Sequence, residues 1–420
     1  MHFISAMVEY RKYVLDNGLT VLTHEAWNTP LASVDLLYGV GSRDEEPSRT
    51  GFAHLFEHLM FGGTPEVPDF DGVLSTVGGD SNALTSHDYT LYYETLPADS
   101  LGLALRLEAD RMANLDISQR ALEVQQRVVT EEYNQRYMNQ PYGDVWLLLR
   151  PLCFKRSPYR WNPIGADIRH VSEATLDDVR AFHSRYYRPD NAILAIAAPL
   201  SHEAMFQAAE EAFRGVLGVQ GVQRGQDKCY ELPQEEARCL RVERRVPSSR
   251  VYLAWPMCGH FDPRFRACDL LSDLLGTGSS SRLHSRLVRE QGLFSEADAC
   301  ITGDAGEGLI VVEGHLNEGV GLDEAAEALR KEVKAIAEGQ LTASYELEKV
   351  QNKYESTFAL SQYRAADRAL ALCHYTWLGD TDLINREPEE YRRLTVDDVV
   401  AAAHDFVVDT HENRLDYVAI

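Results

Sequence analysis

The sequence predicts an α+β chain built of two homologous halves, each a mostly antiparallel sheet packed with helices. Three observations lead there. Strand and helix patterns interleave in the order suited to antiparallel sheets with helices on one face. One helix–strand segment recurs 220 positions further on. The length, 420 residues, is ample for two or three domains at roughly 100 to 200 residues each.

Taken in order, YRKYVLDNGLTVLTHE (10–25) is two period-two runs around Asp16-Asn17-Gly18, a strong hairpin signal. LASVDLLYGVGS (31–42) reads as a strand, followed by a helix expected to open near Ser48 and to stop at Gly62-Gly63. NALTSHDYTLYYETL (82–96) is a β-rich run, and 98–113 and 118–138 have helical spacing. TLDDVRAFHSRYYRPDNAILAIA (175–197) returns as TVDDVVAAAHDFVVDTHENRLDYVAI (395–420), with Thr175, Asp177, Asp178 and Val179 matched by Thr395, Asp397, Asp398 and Val399. Each copy is an N-capped helix running into a final strand. SRVYLAWPMCGHFDPRFRACDLLSDLLGTG (249–278) likewise repeats the strand, loop and helix of 33–63. The expected boundaries are a first domain over 1–218, a linker over 219–228 and a second domain over 229–420.

Composition narrows the partners. The chain carries 65 acidic and 41 basic side chains, a formal charge of -24, which repels phosphate backbones and anionic lipid. No nucleic acid and no membrane partner is therefore expected. The first 25 residues lack the features of a signal peptide, so the expected compartment is the cytoplasm, or the periplasm where a signal was removed ahead of Met1. Seven cysteines are scattered singly without a C-x-x-C spacing, which fits a reducing compartment with thiols as small core fillers.

RTGFAHLFEHLMFGG (49–63) places polar residues where apolar ones would cost less. On a helix His58 lies about 40° from His54, and Glu57 about 60° to the other side, so all three share one face. Histidines at i and i+4 converge as two imidazoles must to share a tetrahedral Zn²⁺. Glu57 sits beside the second ligand without occupying a ligand's place, in the order His-x-x-Glu-His. The second copy of this helix, DLLSDLLG (269–276), lacks all three residues.

A catalytic zinc asks for a third ligand, and the helix 118–138 offers Glu131 and Glu132. The apolar positions Ala121, Leu122, Val124, Val128 and Val129 define an arc centred near about 30°, with Glu132 at about 20° and Glu131 at about 280°. Only Glu132 is expected on the buried face, where a carboxylate needs a strong partner. Arg136 at i+4 is one partner; zinc held by His54 and His58 is the better one. Two histidines and one carboxylate leave the fourth position open, the pattern of a catalytic site.

With these residues the chain resembles the pitrilysin/insulinase family of zinc peptidases, the inverzincins, and most of all the short-chain branch that includes mitochondrial processing peptidase. VVTEE fits the family's glutamate context, with Val129 followed by Glu132. The resemblance implies zinc ligands His54, His58 and Glu132, Glu57 as general base and acid, a catalytic first half and an inert second half. It also implies a clam-shell chamber built from two chains around a peptide substrate. NALTSHDYTLYY is similar to the family's edge strand beside the zinc, where a substrate adds as an extra strand, which assigns substrate binding to Asn82 and Ala83.

Two departures stand out. Gln125 takes the place of a further glutamate seven residues ahead of the third ligand, which alters the support around the metal. In the second half LVREQGLFSEADA supplies Arg289, but Phe294 or Ser295 stands where the family's substrate-binding tyrosine is expected. The expected assembly is accordingly a heterodimer with a homologous non-zinc subunit that supplies the arginine–tyrosine pair, or a homodimer with weakened substrate binding. The alternative is a non-catalytic assembly or peptide-binding subunit of the same fold; the intact ligands and Glu57 weigh against it.

Overall fold

A computed structural model describes residues 7–218, 231–340 and 344–420; the expected linker 219–228 lies outside them. The first sheet has six strands, β1 (Arg11–Val14), β2 (Thr20–Glu25), β3 (Leu31–Tyr38), β4 (Asp80–Thr85), β5 (Thr90–Pro97) and β6 (Ala192–Ala198), in the order β1-β2-β6-β3-β5-β4. The second has five, β7 (Arg238–Arg244), β8 (Arg250–Cys258), β9 (Phe294–Ile301), β10 (Glu307–Leu316) and β11 (Asn413–Ala419), in the order β7-β11-β8-β10-β9.

From β2 onward the two orders are the same, and so is every pairing sense. Each sheet has one parallel pair, β2 with β6 and β7 with β11, and is otherwise antiparallel. The parallel pair refines the expected architecture: the sheets are mixed. A parallel partner needs a long crossover, and the chain between β2 and β6 supplies it. The recurring helices keep the same local chemistry. In Leu176–Tyr186 the Thr175 hydroxyl accepts from the Asp178 amide at 3.3 Å while the Asp178 carboxylate accepts from the Thr175 amide at 3.1 Å. In Val396–Phe406 Thr395 and Asp398 make the same two bonds at 3.3 and 2.7 Å.

The chain forms two compact units that do not follow a single cut near 219–228. The first combines Met1–Asn134, Trp161–Lys228 and Thr357–Glu387; the second combines Gln135–Arg160, Cys229–Ser356 and Pro388–Ile420. The reason is burial. Helix Val145–Cys153 packs Val145, Leu149 and Cys153 against Tyr252, Ala254, Leu309 and Leu415 of the second sheet. Helix Ala365–Trp377 lies on β3 and β6 of the first sheet, where the Cys373 thiol donates to the carbonyls of Asp35 at 3.4 Å and Ile193 at 3.6 Å. β6, AILAIAA, is buried at every position, as a strand covered on both faces must be.

Among the cysteines, Cys153, Cys268 and Cys373 are buried, whereas Cys239 and Cys300 are exposed. Among the described residues no helix is long and apolar enough to cross a membrane.

Candidate metal centre

The helix carrying the histidines is Phe52–Leu59, four residues later than the sequence suggests, followed by a 3₁₀ turn over Met60–Gly62. Ser48 does not cap it. Gly51 precedes it in the left-handed region (φ 89°), which ends any helical path from upstream. Thr50 is engaged elsewhere: its hydroxyl lies 2.9 Å from His170 Nδ1 and accepts from the Ala166 amide at 2.8 Å. The orphan amides of the first turn go to the buried Glu45 carboxylate, which accepts from Gly51 and Ala53 at 2.9 Å each. Burial pushes the Glu45 carboxyl up to about 8 against the pull of these two hydrogen bonds.

The helix buries Phe52, Ala53, Leu55, Phe56 and Leu59. Phe56 stacks on Tyr187 and Phe182 with ring centroids 4.9 and 5.3 Å away, and the Tyr92 hydroxyl donates to the Phe56 carbonyl at 3.3 Å. His54 is buried, while Glu57 and His58 are half-buried, so the polar edge of the helix is held rigidly from behind.

The second helix, Gln119–Tyr133, begins at Ser118, whose hydroxyl accepts from the Ala121 amide, and passes into a π-helical turn over Asn134–Met138. Its buried side chains are Leu122 and Val129 alone. Val124 and Val128 are 40% and 43% exposed, so the apolar face is narrower and rotated from the arc expected. Glu132 stands at the edge of that face, not in its middle, and Glu131 is exposed. The Gln126 side chain ties the helix down by donating to the carbonyls of Val171 and Ala174 at 2.9 Å each.

The two helices bring together His54, His58 and Glu132. Glu132 Oε2 lies 3.2 Å from His58 Nε2 and 3.6 Å from His54 Nε2, and one ligand atom from each of the three residues falls within 4.8 Å of the others. Two ligands each about 2.0–2.1 Å from a tetrahedral ion stand about 3.3 Å apart. Two imidazole nitrogens and a carboxylate oxygen at this spacing fit zinc, with a fourth direction left for water or substrate. Among the described residues no other group of three or more such side chains could hold a metal ion.

Glu57 points to the strand. Its Oε2 accepts from the Thr85 hydroxyl at 2.5 Å, and Thr85 ends β4, the edge strand beyond β5. Asn82 and Ala83 lie on the same strand, facing Tyr93 and Tyr92 across the ladder. The Ala83 amide donates to its neighbour Asn82 Oδ1 at 2.8 Å. Arg289 is exposed on the π-helical segment His284–Glu290 of the second unit. Phe294 is 1% exposed in that unit's core, and Ser295 is exposed on β9. Neither offers a hydroxyl on an aromatic ring. Sequence reasoning missed Glu45, which caps the helix from six and eight residues upstream, and Thr85, which meets Glu57 across 28 positions; neither spacing is a cap or helical-face signal.

A two-half α+β fold with an inverted His-x-x-Glu-His helix and a distant glutamate defines a class of metallopeptidase-like proteins. Residues 20–145 match Insulinase (Peptidase family M16), and residues 173–354 match the Peptidase M16 inactive domain. The chain is 31% identical to the zinc protease PqqE of Helicobacter pylori over 429 aligned residues, 99% of this chain and 94% of that one. The chain belongs to the M16 (insulinase) family. A crystal structure of a protease from Helicobacter pylori superposes with a TM-score of 0.92 at 27% identity, covering 98% of this chain and 100% of that one. A putative M16-like peptidase from Alicyclobacillus acidocaldarius shares the fold, with a TM-score of 0.82 at 18% identity over 98% of this chain and 99% of that one.

Proposed function

We propose that the chain is a zinc-dependent endopeptidase whose first half is catalytic and whose second half is inert. His54, His58 and Glu132 are the ligands, and Glu57 is the general base and acid. The observation that carries this reading is the spacing of the three donor atoms, 3.2 and 3.6 Å about Glu132 Oε2, with a carboxylate that is not a ligand beside them on the same helix. It is supported by the zinc-protease name of the Helicobacter relative. Bound zinc supplies a Lewis acid for the scissile carbonyl and makes water acidic enough to ionise near about pH 7. Glu57 takes the proton of the attacking water and returns it to the leaving amine. A substrate peptide adds to β4 as an antiparallel strand, with main-chain bonds at Asn82 and Ala83 that fix the scissile bond with little regard for side chains.

Arg289 binds substrate from the second half, and its missing tyrosine partner favours a chamber shared with a second chain. That chain is a homologous non-zinc subunit bearing the arginine–tyrosine pair, or a second copy of this one. For the compartment the reading is the cytoplasm, which the singly scattered cysteines favour. Zinc stoichiometry and cleavage of an unstructured peptide test the reading together. Glu57→Gln should keep its zinc and lose cleavage by about 10²–10⁴-fold. Stoichiometric zinc with cleavage indifferent to Glu57 would leave a non-catalytic subunit of this fold. Size-exclusion of an active preparation then separates homodimer from heterodimer, since full turnover by a homodimer removes the need for a partner.

A further inference from the structure

We infer that Thr85 is a positioning residue that holds the Glu57 carboxylate beside the metal site and off the metal; the inference rests on the zinc peptidase reading above. The helix face puts Glu57 next to His54 and His58, and a carboxylate rotating freely at that place would be a fourth protein ligand, competing with water and substrate. Thr85 Oγ1 donates to Glu57 Oε2 at 2.5 Å, which ties the carboxylate to the strand, and Glu57 is not among the three side chains whose donor atoms converge.

The hydroxyl itself is held. Thr85 is β-branched and stiff about χ1, and it opens the hairpin tip between β4 and β5, where the Ser86 amide donates to the Tyr89 carbonyl at 2.9 Å and the Ser86 hydroxyl accepts from the Asp88 and Tyr89 amides. The tip is clamped against the loop after β3. The Ser42 and Arg43 amides donate to the carbonyls of Ser86 and His87 at 3.2 and 2.9 Å, and Arg43 pairs with the buried Asp88 at 2.6 Å. Gly41 makes the close approach possible: a Cβ there would stand 2.4 Å from the His87 carbonyl carbon. A catalytic group must be held within about 0.5 Å of its working place by neighbours that are themselves locked, and this tip meets that need.

Thr85 also belongs to the strand that receives the peptide. The side chain that sets the base and the backbone that sets the scissile bond are therefore one rigid piece, with Thr85 two residues beyond Ala83 on the same strand. A substrate bound in register finds the base in place.

The test replaces zinc with Co²⁺ and records the visible ligand-field bands of wild type, Thr85→Val, Thr85→Ser and the double variant Thr85→Val/Glu57→Gln, alongside peptide turnover of the zinc forms. Thr85→Val should change the Co²⁺ bands as Glu57 joins the metal, and the double variant should restore them. The kcat of Thr85→Val should fall about 10- to 100-fold with little change in KM, while Thr85→Ser stays within a few-fold of wild type. Wild-type bands and kcat in Thr85→Val overturn the inference alone. A wild-type protein that gains no Co²⁺ bands overturns the metal reading and this inference with it.

Discussion

Replacing Glu132 by glutamine should weaken zinc binding by about two orders of magnitude, whereas Glu131→Gln should leave it unchanged. Glutamine keeps the size of the side chain and an oxygen near the same place, but removes the negative charge that now stands 3.2 and 3.6 Å from the two imidazole nitrogens. Four-ligand structural zinc sites gain about 10–16 kcal/mol on binding, roughly 3 kcal/mol per ligand. The loss of one ligand of three is then about a hundredfold in Kd. Glu131 is the internal control, since it sits one residue away and is exposed. Competition with a chromophoric chelator at fixed pH reads both constants. Equal zinc affinity in Glu132→Gln and wild type would refute the three-ligand site, and a loss confined to Glu131→Gln would show that the helix presents the other carboxylate.

Two further outcomes follow from buried carboxylates of the first unit. Asp35 is 1% exposed and its carboxyl is pushed up to about 8, chiefly by burial, with the Ser33 hydroxyl bond opposing and the Glu108 and Asp367 charges adding to the rise. A folded-state value above the unfolded one means that the folded chain holds the extra proton, so this stabilising contribution is complete below about pH 4 and is lost as pH climbs toward 8. Asp35→Asn, which can still accept from Ser33, should therefore gain on wild type across pH 5 to 8 by up to about 1.4 kcal/mol per unit in urea denaturation; parallel profiles would rule this out. Glu45→Gln gives up one of the two acceptors at the start of the histidine helix and should cost about 1–3 kcal/mol, read as a lower urea midpoint for the metal-free protein, and an unchanged midpoint would mean that water or another side chain caps the helix.

The parts of the site that were legible in the sequence are those fixed by helical period. His54, Glu57 and His58 share a face because of their spacing, and that holds wherever the helix begins. The apolar arc that points to Glu132 includes Val124 and Val128, yet these face solvent, and the glutamate comes to the histidines from the edge of a narrower apolar stripe. The helix start differs from the sequence expectation because its cap comes from Glu45, six residues before Gly51, and not from the local serine or threonine. The interleaving of the two units was illegible for a different reason. Helix Val145–Cys153 has an apolar face that either sheet could bury, and periodicity does not say which sheet receives it. The repeat, by contrast, was legible to the residue, since the capping threonines and aspartates that marked it make the same bonds in both copies.

That repeat also shows how the same helix is held without histidines. Asp269 and Asp273 stand at the positions of His54 and His58; Asp269 accepts from the Tyr391 hydroxyl at 2.7 Å, and Asp273 pairs with Lys353 at 3.3 Å. One copy is fastened by side chains that are always at hand, and the other, on the proposed reading, by an ion that has to be acquired. The two units then differ in when they are finished. The second is finished on folding, while the first folds as firmly but waits for zinc to complete its site, so a cell starved of the metal would accumulate a folded and idle protein.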